Sequence, residues 1–110
     1  MEIESHIWIS INSQPIMGRG RYHLLKHIIE TGSLSKACAA MKLSYKKGWK
    51  LVDSMNSNAD ELVVKTKAGG KNGGGTTVTD YGINLMSLFE KAQEENQKFK
   101  VQLNSNLFQN

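Results

Sequence analysis

The 110-residue sequence predicts a mainly α-helical domain with small β-hairpins, a winged helix-turn-helix with a long C-terminal dimerisation helix. Three observations lead there. Two short amphipathic helices meet across the two-residue turn Lys42-Leu43, with small Ala37 where they must approach closely. A strand, a glycine-rich loop and a return strand follow directly, which is the layout of a wing. From Asp80 onward a helical apolar period runs for more than twenty residues without a proline.

The elements are predicted as follows. Ile3, Ile7, Ile9 and Ile11 occupy odd positions and Glu4, His6, Trp8 and Ser10 even ones, the period of a strand. Asn12-Ser13-Gln14-Pro15 is then a turn and Ile16-Met17 a short return strand, so 1–17 is an N-terminal β-hairpin. From Arg21 a first helix carries Leu24, Leu25, Ile28 and Ile29 on one stripe, and Gly32 is placed to end it. Ser33 caps a second helix with Leu34, Ala37, Cys38 and Met41 inward. Ser44 caps a third over 44–57, expected to bury Trp49, Val52 and Met55 or Asn56. Residues 62–67 form a strand, 68–75 the wing loop and 76–79 the return strand, closing a winged helix-turn-helix over 18–79. The last helix spans 80–103, and 104–110 is a polar tail expected to fray. Its apolar residues fall on two faces, more than so small a domain can cover, so self-association is the economical expectation. Ile83, Met86, Leu88, Phe89 and Phe99 are the candidate dimer contacts.

Composition limits the function. One domain's worth of chain holds one core. No run approaches the roughly 18 apolar residues of a membrane span. The N-terminus carries Glu2 and Glu4 where a signal peptide would be basic. A single cysteine, Cys38, allows no internal disulfide and agrees with a cytoplasmic location. The net charge of +4 is uneven. Residues 33–75 hold lysines 36, 42, 46, 47, 50, 65, 67 and 71 against Asp53, Asp60 and Glu61, a net of +5, whereas the flanks are neutral and −1. A local basic block points to a polyanion.

In a helix-turn-helix the N-terminal end of the second helix of the pair enters the major groove. Tyr45, Lys46 and Lys47 are therefore the candidate base-reading residues, and Ser44 and Lys50 candidates for the phosphate backbone. Ser33 joins them at the preceding helix start. Lys65 and Lys67 share one face of the wing strand. Gly70, Lys71, Gly73 and Gly74 form a wing tip whose backbone N–H groups and lysine suit close approach to phosphate. Trp49, spaced with Val52, is assigned to the core.

Other chemistry fits poorly. A phosphate-binding P-loop needs Lys and Ser/Thr after its last glycine and a helix beyond. Here Lys71 precedes the glycine triplet and a strand follows. His23 and His27 are one helical turn apart, but Leu24 stands where a zinc-protease motif needs Glu. Cys38 has no base beside it and is assigned to the core. No paired carboxylates or nucleophile triad is recognisable, so no enzyme, cofactor or metal is expected.

"GRGRYHLLKHIIETGSLSKACAAMKLSYKKGWKLVDSMN" followed by "VVKTKAGGKNGGGTTVTDYG" resembles the N-terminal DNA-binding domain of the ModE family of molybdate-responsive transcriptional regulators. The likeness covers Gly18 to Gly82 and rests on "GSLSKA", "SYKKGW", Met55-Asn56, "GGKNGGG" and "T-D-Y-G" together. Two positions depart from the family: Lys42 stands where Gly is usual and Gly48 where Ala is usual. The resemblance implies a homodimer on double-stranded DNA with a roughly palindromic site. Full-length regulators of this kind also carry C-terminal oxyanion-binding domains, which would begin about where this chain stops. The resemblance thus supplies no site for molybdate, and any small-molecule effector is left unassigned. Two other readings remain open: a winged-helix interaction module that partners a separate sensor, and an oxyanion sensor whose site forms across the dimer.

Overall fold

A computed structural model describes residues 1–67 and 75–108. In chain order the elements are β1 (Ile9–Ile11), β2 (Gln14–Met17), α1 (Arg19–Thr31), α2 (Leu34–Ala40), α3 (Tyr45–Asn58), β3 (Val64–Thr66), β4 (Thr76–Val78) and α4 (Asp80–Phe108). Two antiparallel hairpins, β1–β2 and β3–β4, flank the helical pair α2–α3 in sequence. This is a winged helix-turn-helix with a long C-terminal helix.

Local chemistry explains most boundaries. Asn12 and Ser13 both have positive φ, 51° and 66°, and Ile11 pairs with Gln14, so the turn is the two-residue type that matches strand twist. The expected four-residue turn is therefore too long, and Gln14 and Pro15 belong to β2. Pro15 lacks an N–H but lies in a two-stranded ladder, where one side is free. Gly32, at φ 68°, caps α1 and returns its N–H to the Ile28 carbonyl at 2.7 Å. Ser33 and Ser44 cap α2 and α3, each Oγ accepting at 3.1 Å from the N–H three residues on, Lys36 and Lys47.

The core joins β2, all four helices and the wing strands: Ile16, Met17, Leu24, Leu25, Ile28, Leu34, Ala37, Val52, Met55, Val63, Val64, Leu85, Met86 and Phe89 are buried. Three expectations are corrected by this packing. Ile29 is half exposed and leaves the stripe of α1 to Leu24, Leu25 and Ile28. Trp49 is 49% exposed, and the inward positions of α3 are Gly48, Val52 and Met55 instead. Met86 and Phe89 pack inside this chain, Phe89 against the Tyr22 ring at 5.5 Å, which withdraws them from the candidate dimer contacts. Ile83, Leu88 and Phe99 are exposed.

The last helix is longer than expected, 29 residues and about 43 Å. Residues 1–8 pair with no strand but lie along it. Asn104 accepts from the Ile3 N–H at 2.7 Å and donates to the Ile3 carbonyl at 2.9 Å. Asn96 accepts from the Ser5 hydroxyl at 2.8 Å and donates to the Ser5 carbonyl at 3.1 Å, and Lys100 meets Glu4 at 3.6 Å. Residues 96, 100 and 104 follow the i, i+4, i+8 spacing of one helix face. Asn104, placed in the expected fraying tail 104–110, thus has its partner at the opposite end of the chain, and the helix continues to Phe108. No helix among the described residues is long and apolar enough to cross a membrane.

Candidate nucleic-acid interface

The surface begins with how α3 is seated. Gly48 faces α2, where an added Cβ would lie 2.1 Å from Cys38 Sγ. The missing side chain lets the two helices cross closely, and Cys38 fills the space. Burial pushes the Cys38 thiol pKa up, so it stays protonated and packs as a small apolar group. At the turn, Lys42 adopts φ 57°, and the Leu43 N–H reaches back to the Cys38 carbonyl at 2.9 Å. Arg21 of α1 donates from Nη2 to Ser54 Oγ at 3.3 Å, tying the opposite flank of α3.

With its Gly48–Val52–Met55 side inward, α3 turns Tyr45, Lys46, Lys47, Trp49, Lys50 and Asp53 to solvent. Lys36, Lys42, Lys65 and Lys67 are exposed as well. The ion pairs among the described residues are His27–Glu30, Glu95–Lys98 and Glu4–Lys100, none of which uses these lysines. Their charge is therefore not neutralised by a close carboxylate, and an anionic ligand meets it directly. Ser33 and Ser44 sit at the helix starts with Oγ occupied as capping acceptors, which leaves each hydroxyl its proton as donor.

The wing is anchored from both strands, one to α3 and the other to the junction of α1 and α2. Asn56 Oδ1 accepts from the N–H groups of Val63 and Val64 at 2.8 and 3.0 Å, and its Nδ2 donates to the Val64 carbonyl at 3.0 Å. On the other strand, the Thr76 N–H donates to the Gly32 carbonyl at 3.0 Å and its Oγ1 accepts from the Leu34 N–H at 3.3 Å. Thr79 then closes the wing onto α4, donating from Oγ1 to Leu62 O at 2.6 Å and capping the Gly82 N–H at 3.0 Å. Gly82 is required by close approach: a Cβ there would lie 2.6 Å from the Val63 carbonyl.

Lys65 and Lys67 are exposed on the wing strand side, and the Lys67 N–H meets the Gly75 carbonyl at 2.8 Å. The expected tip contacts Gly70, Lys71, Gly73 and Gly74 lie outside the described residues. The structure thus brings Tyr45, Lys46, Lys47 and Lys50 together on α3, with Lys65 and Lys67 on the anchored wing. Sequence reasoning missed Trp49, the anchor role of Asn56 and the unpaired Lys36. The Met-Asn pair at the end of α3 was the available signal for Asn56. For Trp49 the helical period was ambiguous, because residues 48 and 49 both flank the stripe through Val52.

Among the described residues no group of three or more His, Cys, Asp or Glu side chains is placed to hold a metal. Fold and surface define a winged helix-turn-helix domain with a basic face on α3 and the wing. The chain is 38% identical over 87 residues to the molybdenum transport protein ModE of Azotobacter vinelandii, covering 79% of this chain and 32% of the relative. It is 32% identical over 98 residues to the DNA-binding transcriptional dual regulator ModE of Escherichia coli K12, covering 89% and 37%. A molybdenum-pterin-binding protein, MopB of Rhodobacter capsulatus, shares 41% identity over 73 residues, covering 66% and 27%. The chain carries a ModE-type N-terminal domain and spans about a third of the length of the curated relatives it matches. No protein-family model matches it.

Proposed function

We propose that this chain is a sequence-specific DNA-binding unit of a transcriptional regulator, acting in the cytoplasm. The observation that carries the reading is the anchoring of the wing to both helices of the pair, β3 to α3 through Asn56 and β4 to the start of α2 through Thr76, which holds the lysines of α3 and of the wing in a fixed relation. Tyr45, Lys46 and Lys47 read base edges in the major groove. Ser33, Ser44, Lys50, Lys65 and Lys67 hold the sugar-phosphate backbone, with Gly70, Lys71, Gly73 and Gly74 extending the wing over it. Two copies associate through α4, using exposed Ile83, Leu88 and Phe99. The site is then roughly palindromic, with half-sites one helical turn (about 34 Å) or a multiple apart. The names of the relatives point to molybdenum-related genes as the regulated set.

Selection from a random duplex pool tests the reading. A palindromic consensus is expected, with sedimentation reporting a dimer. Affinity should fall about 10³ to 10⁵-fold between about 50 and 200 mM salt. Lys46→Ala with Lys47→Ala should relax the consensus while leaving the fold intact. A pool that returns no consensus would instead identify a protein-interaction module.

A further inference from the structure

On α3 the outward surface is not uniformly basic. Tyr45 and Trp49, four residues apart and 57% and 49% exposed, lie on neighbouring turns of one helix side. Lys46 and Lys50 repeat the same spacing one residue on. Two parallel stripes result, one aromatic and one cationic. Asn56 shows which side the aromatic stripe occupies. It follows Trp49 by seven residues, nearly in line at about 100° per residue, and its side chain is bonded to β3. The aromatic stripe therefore flanks the wing side of α3, and the cationic stripe lies beyond it.

Tyr45 and Trp49 together make an exposed apolar strip bordered by lysines that none of the ion pairs among the described residues uses. A partner that complements it is anionic around the contact and apolar at it. In the major groove of duplex DNA the C5-methyl of thymine is the apolar feature of the base edges, surrounded by phosphates.

We infer that Trp49, with Tyr45 beside it, is a specificity-determining residue that packs against thymine methyl groups in each half-site. The inference rests on the DNA-binding reading above and adds a residue and a base to it. Tyr45 and Trp49 are one turn apart, about 5.4 Å along α3, so the thymines they read lie within about two base steps of about 3.4 Å each.

The test uses the full chain and the duplex sequence returned by random-pool selection. Each thymine is replaced in turn by deoxyuridine, which deletes the methyl and keeps the pairing. The wild-type chain should lose about fourfold in affinity at one or two adjacent positions per half-site, the worth of one methyl-sized contact. Trp49→Ala should bind the thymine duplex about tenfold or more weakly and show no further loss with deoxyuridine there. Trp49→Phe should recover part of both effects. Wild-type binding that ignores deoxyuridine everywhere, with Lys46 and Lys47 still required, would overturn this inference alone. Equal methyl sensitivity in Trp49→Ala would overturn it too. Failure to select any duplex would remove the DNA-binding reading and this inference with it.

Discussion

A β-carbon built on Gly48 would lie 2.1 Å from the Sγ of Cys38. The glycine that looks like a weak point in α3 is the complement of a cysteine in α2. Gly48→Ala should therefore destabilise the domain by up to about 2 kcal/mol: overpacking costs about 1–3 and the helix preference of alanine returns about 1. Adding Cys38→Ala should restore most of the loss, a coupling of more than about 1 kcal/mol in a urea double-mutant cycle. If Gly48→Ala instead stabilised the domain by the full alanine preference of about 1 kcal/mol, with no coupling to Cys38, the close crossing of α2 and α3 would be wrong.

Asn56 satisfies the N–H groups of Val63 and Val64, both residues buried, and the Val64 carbonyl. Asn56→Ala should cost about 2–4 kcal/mol because buried donors lose their acceptor. Amide exchange at Val63 and Val64 should accelerate more than at the α1 core. Asn56→Asp keeps the acceptor oxygens and should lose less. Equal exchange changes throughout the domain would refute a local anchor.

Lys42 holds φ 57° in the α2–α3 turn, where a β-carbon is strained. Lys42→Gly should raise stability by about 0.5–1 kcal/mol, whereas Lys42→Ala should leave it nearly unchanged. Thermal midpoints of the three proteins at one pH decide this, since the alanine variant separates lost charge from relieved backbone.

The Tyr22 hydroxyl donates to the Glu90 carboxylate, joining α1 to α4. That hydrogen bond, with burial and the carboxylate's charge, pushes the Tyr22 pKa from 10 to about 12. A raised folded-state pKa means the folded protein holds its proton where the unfolded chain releases it. The contribution is complete below about pH 10 and is lost as pH rises toward about 12. Urea midpoints should fall across that window more steeply for the wild type than for Tyr22→Phe. Parallel curves would show that the contact carries no stability.

Much of the candidate surface was legible in the sequence because it depends on local chemistry. Ser33 and Ser44 announce helix starts, Gly32 a helix end, and lysines 46, 47 and 50 a basic face of α3. The faces of long helices were less legible. Apolar positions in the last helix appeared on two sides, and only packing separates Met86 and Phe89, held by the core, from Ile83, Leu88 and Phe99, left outside. The pairing of residues 1–8 with α4 was hidden for a related reason. Asn96 and Asn104 look like solvated polar residues until a distant segment supplies their partners.

By itself the sequence determined the order of the elements, their caps and the basic charge of α3, since each follows from neighbours within a few positions. The tertiary structure decided the rotation of α3 about its axis. Two core directions were compatible with the period through Val52, one burying Trp49 and the other Gly48. Cys38 settles the choice, because its Sγ occupies the space that a side chain at position 48 would need, and the indole is turned outward.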